Sequence, residues 1–157
     1  MYTKEELLKW YDEEYCLDSV KENGLMLQYV KNQTKEICLA AIKQDVFSLQ
    51  YVKNQTEDIC MVAVTQNGLA VRYVKNQTEE ICLAAVRQNG LNLQYVKNQI
   101  EEICLAAVKQ DGQSLKYITI VTESLYLAAL TQDSTNIQYI DIQKYPELYE
   151  KYVFMIK

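Results

Sequence analysis

The stretch YVKNQTEEICLAAVRQNGLNLQ, residues 73–94, decides the fold because close copies of it lie on both sides. YVKNQT also stands at 29–34 and 51–56, and YVKNQI stands at 95–100. All five cysteines keep the same step of 22 residues, as Cys16, Cys38, Cys60, Cys82 and Cys104. A fixed period of this length, kept without insertion, predicts a tandem-repeat protein.

One repeat predicts two short helices. Thr78 is a candidate N-cap for a first helix over 79–88, whose first turn carries two carboxylates that favour the helix dipole. Asn89 and Gly90 form a stop signal, and a shorter second helix is predicted over 91–97. A pair of helices of this size buries its apolar faces only by stacking on its neighbours.

The residue before the glycine of the stop signal is expected to adopt the left-handed conformation. Val46 stands where other repeats have glycine, and a β-branched residue is poorly suited to positive φ. The expectation therefore falls on the preceding residues, which are Asp45, Asn67, Asn89 and Asp111.

These features predict an all-α fold, an α-solenoid of 22-residue two-helix repeats with terminal capping helices. TKEE at 3–6 resembles a capping box, and Pro146 suits the first turn of a closing helix. We interpret the chain as one helical repeat domain over 1–157, with an N-terminal cap over 1–11, six repeats over 12–143 and a C-terminal capping helix over 144–157.

The composition argues against several classes of function. The net charge is −5 and the pI about 4.8, whereas binding to nucleic acid or to anionic membranes needs a basic surface. Apolar runs such as ICLAAI at 37–42 are far shorter than the ~20 residues that span a bilayer. MYTKEELLKW at 1–10 is too charged for a secretory signal, so we expect a cytoplasmic protein.

The cysteine column is interpreted as buried, reduced packing. Its members occupy equivalent places on successive helices, about 8–10 Å apart, which is too far for zinc ligation or for disulfides. The chain has no histidine, and no phosphate loop, serine elbow or paired-carboxylate motif is visible. We therefore expect no catalytic residue, no metal site, no cofactor and no enzymatic activity.

Two further columns keep the 22-residue step. The tyrosine column is expected to lie mainly in the core, and it consists of Tyr29, Tyr51, Tyr73, Tyr95, Tyr117 and Tyr139. The lysine column, which consists of Lys31, Lys53, Lys75 and Lys97, allows two interpretations. In the first, it is a strip for an anion or an acidic partner. In the second, the lysines are solvated or pair with a nearby acid such as Glu57, while the Asn and Gln beside them satisfy backbone groups at the helix ends. Packing does not by itself demand an unvarying lysine.

Discrimination between partners needs exposed positions that vary from repeat to repeat. On the first helix these form what we call the variable row, Lys43, Thr65, Arg87 and Lys109. Two variable columns are expected to be exposed on the second helix. One is what we call the second variable set, Ser48, Ala70, Asn92, Ser114 and Asn136, and the other is Gln50, Arg72, Gln94 and Lys116. Small residues beside the variable row, such as Ala40, would let another chain approach closely.

The repeats resemble the short tandem helical repeats, of unknown function, that are abundant in Mimivirus-type giant viruses. The string VKNQTEEICLAAV at 74–86 carries the resemblance, which covers about 12–140. It implies a helical repeat protein of viral origin, and hence the cytoplasm of a host cell. The family has no known catalytic residues to transfer to this sequence.

The interpretation is a non-enzymatic helical repeat scaffold that mediates protein–protein interaction with an unknown partner. The alternative is a repeat-based module that binds single-stranded nucleic acid, although the acidic balance and the presence of only two arginines oppose it. An enzyme is a third hypothesis, and self-association through a free solenoid end a fourth. No interaction with membranes is expected.

Overall fold

The computed structural model describes residues 8–119, 121–139 and 141–153, and in these ranges the chain contains helices and no strand. The α-helices are α1 (Glu13–Glu22), α2 (Lys35–Gln44), α3 (Glu57–Gln66), α4 (Glu79–Gln88), α5 (Glu101–Gln110), α6 (Glu123–Gln132) and α7 (Pro146–Tyr152). They alternate with 3-10 helices, Lys9–Tyr11, Gly24–Gln28, Val46–Tyr51, Gly68–Tyr73, Gly90–Tyr95, Gly112–Tyr117 and Ser134–Tyr139. This 22-residue alternation confirms the all-α repeat solenoid.

The predicted threonine N-cap bond is confirmed in two repeats, whereas Thr56 makes no such bond before α3. Thr34 Oγ1 accepts a hydrogen bond from the backbone N–H of Ile37 at 3.3 Å, and Thr122 plays the same part at α6. Ile100, which replaces the threonine before α5, makes no such bond. Pro146 begins α7, as expected for a residue without a backbone N–H. The expected capping box at 3–6 lies outside the described residues.

The expected left-handed stop residue is wrong. Asn89 is extended, with φ −154° and ψ 115°, and no residue in the described part of the chain has positive φ. Its Oδ1 instead accepts the backbone N–H of Leu91 at 2.9 Å, and Asp45 accepts that of Phe47 in the same way. This column therefore ends each α-helix in an extended conformation and caps the 3-10 helix that follows.

The second helix of each repeat is a 3-10 helix, which changes the exposure expected for two columns. Three residues per turn place different side chains on the core than an α-helix would. The second variable set is buried rather than exposed, and its members are Ser48, Ala70, Asn92, Ser114 and Asn136. The tyrosine column is only half-buried, and Tyr29 is exposed. A partner can therefore reach the tyrosines but not the second variable set.

The chain divides into two compact units, Met1–Thr78 and Glu79–Lys157. Within the first unit α1, α2 and α3 pack in sequence, and Ile37, Ile42 and Leu49 are fully buried.

In the second unit α4, α5 and α6 pack in the same order. Tyr126 takes the place of a cysteine on α6, and its ring centroid lies 5.2 Å from that of Tyr152 on α7. Leu148 is buried beside it. The closing helix thus covers the last repeat of this unit through one aromatic pair and one leucine.

Candidate partner-binding surfaces

The lysine column lies on the exposed turn that leads from each 3-10 helix to the next α-helix. Lys53 Nζ donates to the carbonyl oxygens of Val30 and Lys31 of the preceding repeat, at 3.0 and 2.7 Å. Lys75 Nζ donates in the same way to Val52 and Lys53, at 3.1 and 3.2 Å. Each ammonium thus links two successive repeats through charge-assisted bonds, which gives the repeated lysine a structural role.

The same kind of bond recurs where the lysine column ends. Thr119 stands 22 residues after Lys97, and Asp141 stands 22 residues after Thr119. Lys144, three residues further on, donates from Nζ to the carbonyl oxygen of Thr119 at 2.8 Å. In the second unit, Lys144 thus provides the ammonium that bonds to the turn of the preceding repeat, because the lysine column has Asp141 at this point.

Replacing Lys53 with methionine should lower the free energy of unfolding by about 1 kcal/mol, because two carbonyl oxygens lose a charged donor. Urea unfolding monitored by circular dichroism measures the change. Lys31→Met is the matched control, since the Lys31 ammonium makes no hydrogen bond within the described residues. Equal losses in the two variants would contradict the structural role of Lys53.

A glutamine in the same turn satisfies backbone groups, as one interpretation of the lysine column expects, and two of these groups belong to the next repeat. Gln33 Nε2 donates to the carbonyl oxygens of Leu27 and Tyr51 at 3.2 and 2.9 Å, while its Oε1 accepts the backbone N–H of Lys53 at 2.9 Å. Gln55 makes the equivalent three bonds with Leu49, Tyr73 and Lys75. We call this arrangement the glutamine clasp. In the sequence, the feature that indicates this clasp is the unbroken recurrence of KNQ at the 22-residue step.

A second glutamine, at the end of each α-helix, reaches back to the preceding repeat. Gln44 Oε1 accepts the backbone N–H of Gly24 at 2.6 Å, and Gln110 Oε1 accepts that of Gly90. Much of the repeated polar sequence therefore holds repeats together. The candidates for partner binding are the exposed side chains that these bonds do not use.

The variable row is exposed at the C-terminal ends of the α-helices. Lys43 lies in the first unit beside Lys21, and the two border a groove of about 520 Å³ together with Ala40 and Gln44. None of the three described ion pairs involves Lys43. Thr65 is exposed on α3 and does not line this groove.

A similar groove occurs in the second unit. Arg87 on α4 and Lys109 on α5 border about 540 Å³ of open space, with Ala106 and Leu105 forming an apolar part of its wall and Glu102 at one side. Neither cation belongs to an ion pair described in this unit. The structure thus brings two predicted residues, Arg87 and Lys109, to one groove.

A third pocket, of about 260 Å³, lies between two turns of the first unit. Most of the charged side chains that line it are bonded to other groups of the protein. Lys35 forms an ion pair with Asp58, and its hydrogen bond is the main cause that lowers the Asp58 pKa to about 2. Lys53 is bonded to backbone carbonyls, and Cys38 is buried. We therefore place the candidate partner site at the variable row and not here.

The cysteine column is buried, as expected, and all five members are thiols. Burial raises the pKa of the Cys38 thiol, although the Lys53 charge opposes the shift. Burial is also the main cause that raises the pKa of Cys60 and Cys104. In the described ranges no group of three or more acidic or cysteine side chains could hold a metal ion. A raised pKa and burial make these thiols poor nucleophiles.

Replacing Cys38 with serine should lower the free energy of unfolding by about 1–3 kcal/mol. Its Sγ lies 3.9 Å from Gln33 Oε1, and the shorter C–O bond would leave the serine hydroxyl buried without a close acceptor. Chemical denaturation measures the loss, and Cys38→Ala is the control for lost sulfur contacts. A serine variant as stable as the wild type would contradict this packing.

The raised pKa of Cys38 also has a consequence for stability. Its ordinary value is 9.0, so the unfolded thiol ionises first as the pH rises. The stability of the wild type should therefore fall above pH 9 and be unaffected by this group below it.

The comparisons with known proteins concern the repeat. A family model described as "Domain of unknown function (DUF4116)" matches three times, at residues 12–56, 34–78 and 78–120, which together cover more than half of the chain. The chain belongs to this family. No curated protein and no solved structure matches the DUF4116 chain. The matches start 22 and 44 residues apart, so each spans about two of the structural repeats.

The family description names no activity, so the DUF4116 repeats are interpreted from their surfaces. No helix in the described parts of the chain is long and apolar enough to cross a membrane. The accessible surfaces include the variable row with its two grooves, the half-buried tyrosine column, and the exposed second-helix column Gln50, Arg72, Gln94 and Lys116.

Proposed function

We propose that this DUF4116 chain is a non-enzymatic scaffold that binds a protein partner through the variable row of its α-helices. The observation that carries the proposal is the pair of grooves at this row, each bordered by two cations from successive helices and by an alanine. Exposed cations beside an apolar wall suit an acidic, partly apolar protein segment. Much of the rest of the repeated polar sequence, such as Gln33 and Lys53, bonds to the neighbouring repeat.

The resemblance to repeats of Mimivirus-type giant viruses supports a viral origin and a place in the host-cell cytoplasm as part of this proposal. The five buried thiols are in keeping with a reducing compartment, where cysteines are not paired.

Affinity capture with the purified chain as bait tests the proposal. The comparison bait carries Lys43→Glu, Arg87→Glu and Lys109→Glu, which reverse both cations of the second-unit groove and one of the two cations of the first-unit groove. A specific partner should then be purified and titrated against both baits, and the triple variant should bind it at least about tenfold more weakly. Unchanged affinity for every captured partner would refute a role for the variable row.

Single-stranded nucleic acid is a second candidate, favoured by the cations over the tyrosine column. The Arg72 guanidinium lies 5.0 Å from the Tyr73 ring centroid, and the Lys116 ammonium lies 5.0 Å from that of Tyr117. Half-buried tyrosines beside cations can stack bases. Titration of labelled single-stranded RNA at low salt distinguishes the candidates, and the scaffold proposal expects no binding in it.

A further inference from the structure

The solvent face of three α-helices repeats one pattern, with an acid at the N-terminal end, an alanine in the middle and a base at the C-terminal end. The spacing is i, i+4 and i+7, which brings all three positions to one face of a helix with 3.6 residues per turn. The pattern reads Glu36–Ala40–Lys43 on α2, Glu80–Ala84–Arg87 on α4 and Glu102–Ala106–Lys109 on α5. The acids and bases are exposed and the alanines are half-buried.

Two of these helices, α4 and α5, pack directly against each other in the second unit. Their outer sides together form what we call the α4–α5 face, with Glu80 and Glu102 at one end and Arg87 and Lys109 at the other. No ion pair described in this unit uses any of these four charges. The groove of about 540 Å³ between the helices opens on this face, with Arg87 and Lys109 at its basic end and Glu102 toward its acidic end.

The charge pattern of the α4–α5 face is complementary to itself. A two-fold rotation about an axis that lies in the plane of the face, perpendicular to the helices, turns the faces of two copies toward each other and places the basic end of one opposite the acidic end of the other. Ala84 and Ala106 lie between the two ends, so the helices of two copies can approach closely without a bulky side chain between them. A partner with charge of one sign would complement only one end of this face, whereas a second copy complements both ends.

We propose that the α4–α5 face binds the same face of a second copy of this chain in antiparallel orientation. In this arrangement Glu80 and Glu102 of each copy meet Arg87 and Lys109 of the other, and a carboxylate enters each basic groove. This inference rests on the proposed function, since it names a partner for part of the variable row. It differs from self-association through a solenoid end, which would use other residues.

Two charge-reversal variants test the proposal. The acidic variant carries Arg87→Glu and Lys109→Glu, and the basic variant carries Glu80→Lys and Glu102→Lys. In sedimentation velocity at about 0.01 M salt, where charges interact over about 30 Å, the wild type should form a dimer that weakens at about 1 M salt. Each variant alone should be monomeric, and an equimolar mixture should form a heterodimer.

The control variant carries Lys31→Glu and Lys116→Glu, which change the net charge as much as the acidic variant does but lie on other elements. It should dimerise like the wild type. Thermal unfolding of all variants by circular dichroism verifies that each is folded, and the mixing experiment does not depend on equal stability.

Three results would overturn the inference. They are a wild type that stays monomeric up to about 1 mM at low salt, a dimer that neither reversal weakens, and two variants that do not associate on mixing. A monomeric wild type whose captured partner still discriminates against the triple variant would refute the dimer alone. A dimer that behaves as expected, with no partner sensitive to Lys43, would limit the variable row to self-association.

Discussion

Replacing Gln33 with leucine should lower the free energy of unfolding by about 2–4 kcal/mol. The amide of Gln33 bonds to three backbone groups, two carbonyl oxygens and one N–H, and two of them belong to the next repeat. Leucine has a similar size but leaves all three without this partner at a half-buried position. The cost exceeds that of an average surface substitution because one side chain satisfies groups on both sides of a repeat junction.

Urea unfolding of the intact chain measures this change, and two variants make it specific. Asn32→Ala alters the adjacent exposed residue of the same turn and should have little effect. Gln33→Glu keeps the size and one acceptor but removes both N–H donors, so it should not restore stability. If leucine is tolerated as well as alanine at position 32, the glutamine clasp does not stabilise the junction.

The 22-residue period of the sequence predicted the fold. The sequence also predicted the positions of those residues that have a single usual structural role. A cysteine or isoleucine inside an apolar arc is buried in either kind of helix, so the core column was confirmed. Threonine directly before a predicted helix has one common use, as an N-cap, and Thr34 has it. Pro146 is likewise restricted to a first turn.

The columns that sequence reasoning misassigned are those whose side chains have several uses. Asparagine can end a helix in the left-handed conformation or accept a hydrogen bond from the second residue after it, and Asn89 does the latter. Ser48 was expected on the surface of an α-helix, but it lies in a 3-10 helix, whose three residues per turn place its side chain in the core.

The candidate site was predicted in part. Lys43, Arg87 and Lys109 are exposed, as their place on a helix wheel indicated, and Arg87 meets Lys109 at one groove. The structural use of Lys53 could not be deduced, because its acceptors lie 22 and 23 residues earlier in the chain. A column of identical residues looks the same whether it binds a partner or the preceding repeat, and only the geometry of the junction separates the two.

Replacing Gly90 with alanine should lower the free energy of unfolding by about 2–4 kcal/mol, through overpacking and the loss of a hydrogen bond. A Cβ at this position would overlap the carbonyl oxygen of Ala107 and lie 3.1 Å from both Asp111 N and Gln110 Oε1. The obstacle is backbone of α5, which cannot rotate away as a side chain can. The backbone of Gly90 itself has negative φ, so the need for glycine here is one of space.

Gly112→Ala is the matched control in the same unit, since the three atoms nearest to its Cβ would all belong to the side-chain amide of Asn136. That amide can move at the expense of its bond to the Ala129 carbonyl, so the loss should be about 1 kcal/mol. Chemical denaturation of both variants decides the matter. Val46 occupies the position of Gly24 in the next repeat and shows the effect of a larger residue there. Gly24 N–H donates to Gln44 Oε1, whereas in the described first unit Val46 N–H makes no such bond to Gln66. Equal losses at positions 90 and 112 would mean that the close approach of α5 to Gly90 does not limit this junction.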